Sequence, residues 1–228
     1  IAAITPTVIT PPAEGPPIIG ESEFIETEDM LQRAEELIDT VDYPYWGDED
    51  LKTSYESAKN ALNDAKTTYN NTNYYTSLSK TFQARINLNY IINYLEVYRE
   101  EGQMSKIVEE EIKKTEQRLE EVSNQIKDKE KFSSIEELQG YAAAQNRIGR
   151  AEDLIENSKN SLETGDLIQS VYDYSRAQER LNTAIFWYQL SNDLNNKKQT
   201  EIPIEHSLQV FSSEKNDLSN SLLRQSGQ

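Results

Sequence analysis

The segment Ala58–Leu95, AKNALNDAKTTYNNTNYYTSLSKTFQARINLNYIINYL, decides how the chain folds. Leu51, Tyr55, Ala58, Leu62, Ala65 and Tyr69 recur at alternating steps of four and three, so they share one stripe of a helix with about 3.6 residues per turn. Asn70, Asn71, Thr72 and Asn73 interrupt that rhythm. Asparagine tolerates left-handed backbone and its side chain caps helices, so the run both stops one helix and starts the next. Ala84, Leu88, Ile91, Leu95 and Tyr98 resume the rhythm, with Ile86, Tyr90, Ile92 and Tyr94 widening the apolar face. A wide face implies several neighbours and a central position.

A weaker copy of this hairpin returns at Ala151–Tyr188, at an offset of 93. Ala58 matches Ala151, Lys66 matches Lys159, Ser77 matches Ser170, Ala84 matches Ala177, Leu88 matches Leu181 and Asn89 matches Asn182. Asn73 faces Asp166 in the same alignment, and Tyr94 faces Trp187. Either two related hairpins pack about a pseudo-twofold, or two long hairpins share a common pattern.

Outward from the hairpin, Ile1–Gly20 holds Pro6, Pro11, Pro12, Pro16 and Pro17. Proline lacks an amide donor and disfavours helix before it, so residues 1–26 read as an extended arm or linker, with a strand laid along a neighbouring domain as the alternative. Residues 27–194 form the helical bundle. Thr27 precedes Glu28 and Asp29, an N-cap followed by first-turn acids. The first helix buries Met30, Leu31, Ala34, Leu37, Ile38 and Val41, and the loop holding Tyr43, Tyr45 and Trp46 stops it. Asp48 caps the second helix, and Gly102 ends the third. The fourth carries Val108, Ile112, Thr115, Leu119, Val122 and Ile126 in near-heptad register, backed by a solvated charged face; its stripe closes an intramolecular hairpin or meets a partner helix. Ser133 with Glu136 and Ser134 with Glu137 fit the capping-box spacing. The fifth helix then places Leu138, Ala142, Ile148, Ala151, Ile155, Ser158 and Leu162 on its stripe until Gly165 stops it and Asp166 caps the sixth. Residues 195–228 read as a loop followed by a weaker helix bearing Leu208, Phe211, Leu218 and Leu222. The expectation is an all-α, up-and-down bundle of six or seven helices built from long hairpins.

Composition narrows the function. With 228 residues, a formal charge of −17 and 28% charged residues, the chain opposes a phosphate backbone, so nucleic acid is not an expected partner. It contains no cysteine, which removes disulfides, thiolate metal sites and a cysteine nucleophile. No apolar run reaches the length of a membrane span. Ile1 in place of methionine points to a processed or trimmed start. His206 is the single histidine, too few for a carboxylate-bridged metal site in a bundle. Asp42, Asp48, Glu49 and Asp50 lack calcium-loop order. No phosphate-cradling glycine loop or nucleophile elbow occurs. No catalytic residue, metal site or cofactor is expected. The aromatic trio Tyr43, Tyr45 and Trp46 reads as a plug at the bundle end or as a partner contact. Asn70-Asn71-Thr72 is an N-glycosylation sequon, with Asn70 the acceptor, and it would suit an extracellular or cell-surface protein.

The sequence Asn73-Tyr74-Tyr75-Thr76-Ser77-Leu78-Ser79-Lys80-Thr81-Phe82-Gln83-Ala84, led by Ala65 and Tyr69, resembles the C-terminal helical region of archaeal Lon-like serine proteases, a secreted or membrane-anchored branch of that peptidase family. The resemblance spans about a third of the chain. It implies that the Ser and Lys dyad of such enzymes belongs to a separate upstream domain, and no dyad motif stands here. The expected function is therefore a non-catalytic interaction or spacer module whose partner is another protein or that upstream domain. The alternative is a structural component of a surface assembly, with the N-terminal arm contacting a neighbour.

Overall fold

A computed structural model describes residues 21–41, 49–100, 102–126, 132 and 134–196. The proline-rich arm up to residue 20, the loop with Tyr43, Tyr45, Trp46 and Asp48, Ser133, and the stretch from 197 on, with His206 and the expected weaker last helix, lie outside the described residues. Within them the chain is all-α: α1 (Glu21–Thr40), α2 (Glu49–Asn70), α3 (Tyr74–Arg99), α4 (Met104–Gln125), α5 (Ile135–Glu163) and α6 (Leu167–Asn196).

The polar turn works as its residues dictate. Asn73 caps α3, its side-chain oxygen accepting from the Thr76 amide at 3.2 Å, and Asp166 caps α6 by accepting from the Gln169 amide at 3.0 Å. The left-handed position between α2 and α3 falls on Thr72, at φ 61, and its counterpart 93 residues on is Gly165, at φ 83. A β-branched residue is strained there, whereas glycine is not. Thr72→Gly is expected to stabilise the fold by about 1 kcal/mol, read as a shifted urea midpoint with unchanged slope.

The correspondence runs through the hydrogen bonds. Ser77 Oγ donates to the Ala65 carbonyl across the hairpin at 2.8 Å, and Ser170 Oγ donates to the Ser158 carbonyl, also at 2.8 Å. The turn amides repeat in the same register: Thr72 to Tyr69, Asn73 to Thr68 and Ser77 to Asn73 in the first hairpin; Gly165 to Leu162, Asp166 to Ser161 and Ser170 to Asp166 in the second. The match extends to the helix before each hairpin, at an offset of 88. Thr27 and Thr115 each donate to the carbonyl four residues back, and Glu28 pairs with Lys66 as Glu116 pairs with Lys159. The described fold is thus one three-helix unit built twice.

The two units meet along α3 and α6, which run antiparallel. Phe82 stacks edge-on against Phe186 at 5.3 Å between ring centres, and Asn93 donates to Ser175 Oγ at 2.9 Å. Exchanging each residue for its counterpart turns the first pair into the second, which places a pseudo-dyad at the middle of the α3–α6 contact. α3 touches α1, α2, α4 and α6, and α6 touches α3, α4 and α5. The main core accordingly collects Leu88, Ile91 and Leu95 from α3 with Val171, Tyr174 and Leu181 from α6. Each fully buried aliphatic side chain contributes roughly 1.5–3 kcal/mol.

Two local expectations give way. Thr27 is not an N-cap: α1 begins at Glu21, and the buried Thr27 hydroxyl bonds back to the Glu23 carbonyl at 2.6 Å. The added turn seats Phe24 against Ala61, Leu62, Ala65 and Ala84, a burial that outweighs the preceding proline-rich context. Leu138 and Ala142 do not join the inner stripe of α5; Leu138 is 45% exposed, and Glu137, Gly140 and Ala144 face inward in their place. Gly140 is turned in where α6 leaves no room for a side chain: a Cβ there would stand 2.2 Å from Ser191 Cβ, 2.8 Å from its Oγ and 3.0 Å from the Trp187 carbonyl. The stripe of α4 packs inward on α5 and α6, with Val108, Ile112, Thr115 and Val122 buried.

Candidate functional site

Polar side chains gather where the two units cross. Arg85 of α3 reaches Glu179 of α6 through Nε at 3.1 Å and Glu26 of α1 through an Nη at 2.8 Å. The Arg85 and Glu179 side chains are 10% and 4% exposed, while Glu26 is 63% exposed. Burial by itself would lower the guanidinium pKa, but the attraction of Glu179 and the bonds to both carboxylates reverse that and the net shift is upward. Beside the triad, Asn89 Nδ2 donates to the Ser175 carbonyl and Gln178 Oε1, and Asn93 Nδ2 donates to the same Oε1. Gln178 Nε2 continues the chain to Thr115 Oγ1 of α4 at 3.2 Å. Four helices are therefore cross-linked by groups that find their partners inside the protein, as most buried polar atoms do.

Other ionisable groups sit in the walls. Tyr174 is fully buried, and burial, with Glu111 and Glu96 nearby, pushes its hydroxyl above the ordinary tyrosine range. Tyr55 moves the same way through burial and its 2.8 Å bond to Glu35. Asp173, 5% exposed, takes a bond from Gln169 Nε2 at 2.8 Å. Burial raises its carboxyl pKa; Gln169 and Arg176 offset part of this, and Asp166 adds to it. A raised native value means that the folded state binds more protons than the unfolded one, so Asp173 costs stability as pH climbs from the ordinary carboxyl value through the native one. Asp173→Asn is expected to be more stable than the parent at pH 7, with the gain gone by about pH 3, as measured by urea midpoints at both values.

The surface carries open depressions. One of about 480 Å³ lies between α2 and α3, lined by Lys52, Glu56, Asp64 and Lys80. Another of about 490 Å³ lies between α4 and α5, lined by Glu116, Glu120, Glu152, Asp153 and Glu156 with the single cation Lys159, which pairs with Glu116, and by Leu119 and Ile155. A third of about 290 Å³ opens at the α3–α4–α6 junction. The outer face of α4 is laced by the pairs Lys113–Glu109 and Lys106–Glu110, which fits a solvated surface.

Among the residues singled out from sequence, Asn70 is exposed on the last turn of α2, beside the strained Thr72. Tyr43, Tyr45 and Trp46 lie outside the described residues. No three carboxylates or histidines come together as a metal-holding group among the described residues. No described helix is long and apolar enough to cross a membrane. The central layer of Arg85, Asn89, Asn93, Gln178 and Glu179 was not anticipated. Its signal is present all the same: Arg85, Asn89 and Asn93 interrupt the apolar face of a helix too greasy to be peripheral. No protein-family model matches the chain, and neither a curated protein nor a solved structure is significantly similar to it.

Proposed function

We propose that this protein is a non-catalytic interaction or spacer module, of the kind that would serve as a helical accessory domain to an extracellular or cell-surface Lon-like protease. The observation that carries the reading is the pairing of α5 and α6, helices of 29 and 30 residues that pack face to face with Gly140 at the close approach. At about 1.5 Å per residue such a pair makes a strut roughly 45 Å long. The polar layer clamps the second unit to the first, which suits a body that holds a distance or presents a surface. What it offers outward is acidic: the α4–α5 depression suits a partner with basic side chains. The exposed Asn70 at the end of α2 is compatible with glycosylation.

Sedimentation across a wide concentration range, with casein hydrolysis assayed alongside, tests this reading. A stable monomer without casein cleavage is the expected result. Cleavage by the purified chain would refute the non-catalytic role, and assembly that disappears when residues 1–20 are deleted would favour a structural component of a surface array.

A further inference from the structure

The pseudo-dyad sets two niches side by side, and their chemistry has diverged. In the first, Arg85 projects between α1 and α6 and is neutralised by Glu26 and Glu179. In the second, Gln178 stands at the position of Arg85, Lys114 at that of Glu26, Arg118 at that of Met30, and Ile86 at that of Glu179. Neither counterpart position carries a carboxylate and two cations stand on α4, while Glu179 reaches this side only as the acceptor of one Asn182 hydrogen. The result is the depression of about 290 Å³ lined by Asn89, Lys114, Thr115, Arg118, Gln178 and Asn182. Its lining has no acid, in a chain whose formal charge is −17.

The donors there are not exhausted. Gln178 Nε2 gives one hydrogen to Thr115 Oγ1, and Asn182 Nδ2 gives one to Glu179 Oε1 at 3.1 Å, which leaves the second hydrogen of each amide. Lys114 and Arg118, four residues apart, lie on one face of α4. Their bonds run along the helix surface, Arg118 to the exposed Glu121 and Lys114 to the half-buried Glu111; the exposed pair is readily exchanged, and the Lys114 ammonium, itself exposed, has further hydrogens to offer. A ligand oxygen anion would supply what the first niche obtains from its own carboxylates.

We infer that this junction is a binding site for a small oxyanion bearing a phosphate or carboxylate group, attracted by Lys114 and Arg118 and oriented by the amides of Gln178 and Asn182. It is independent of the spacer role, since it needs neither a partner protein nor a parent domain. The test is ¹⁵N NMR of the labelled chain at pH 7, titrated separately with sodium phosphate and sodium citrate at matched ionic strength. Saturable shifts of the Gln178 and Asn182 side-chain amides are expected, with the Arg85 Nε–H signal unmoved. Whichever anion saturates them identifies the group recognised. Lys114→Glu with Arg118→Met writes the first niche's residues onto α4 and is expected to weaken binding at least tenfold; Lys114→Ser with Arg118→Ser, both at exposed positions, serves if the first pair perturbs folding. Drift without saturation for both anions, equal affinity in the variants, or the largest shifts elsewhere would overturn the assignment.

Discussion

Arg85→Leu is expected to lower the unfolding free energy by about 3–5 kcal/mol. The loss follows from what remains: Glu179 keeps its buried carboxylate on α6, 4% exposed, with its counter-ion removed. Glu179→Leu is expected to cost a similar amount, because it strands the guanidinium between α3 and α6 with only the exposed Glu26 for company. The two losses do not add. Residues in direct contact couple, and replacing a buried pair by apolar side chains of similar volume is often neutral or better. Arg85→Leu/Glu179→Leu should therefore return most of the stability, as read from urea melts of the four proteins in a double-mutant cycle. If the double variant is as unstable as the sum of the singles, the pair is not the unit described.

Gly140→Ala is expected to destabilise by roughly 2 kcal/mol or more, an overpacking cost, although alanine is the better helix former by about 1 kcal/mol. The new methyl would collide with Ser191 on α6. Gly149, on the same helix, is the control: nothing lies within 4 Å of its Cβ position, so Gly149→Ala should raise stability by about 1 kcal/mol. Opposite signs for one substitution on one helix separate close packing from propensity. Ser191→Gly should recover part of the Gly140→Ala loss, and thermal melts of the four variants are sufficient to show it. Equal effects at 140 and 149 would mean that α5 and α6 stand further apart than described.

Local chemistry made the hairpins legible. Asn73, Gly165 and Asp166 announce their roles because capping and left-handed backbone depend on neighbours within a few residues. The inward stripes of α2 and α4 follow from spacing alone. Thr27 misled because a threonine before two acids fits a cap and an interior back-bond equally well; the seat of Phe24, which decides between them, lies on α2 and α3. Leu138 misled for a related reason, since an apolar residue at helical spacing looks inward until the facing Ser191 side chain and Trp187 carbonyl are known. The candidate site was hardest to foresee. Arg85 and Glu179 stand 94 residues apart, and a charge within an apolar face shows that a partner exists without saying which. The divergence of the two niches needed the paired offsets, 93 for the hairpins and 88 for the helix before each.

The antiparallel meeting of α3 and α6 also limits what this architecture can become. Solenoid arrays join head to tail, and each added repeat leaves a fresh docking face for the next. Here each half presents the same face to the other, an isologous arrangement that consumes both copies and closes on itself. A third copy could not use that same face, so repetition through this contact stops at two, and the two halves differ instead in chemistry, one holding the clamp of Arg85 and the other not.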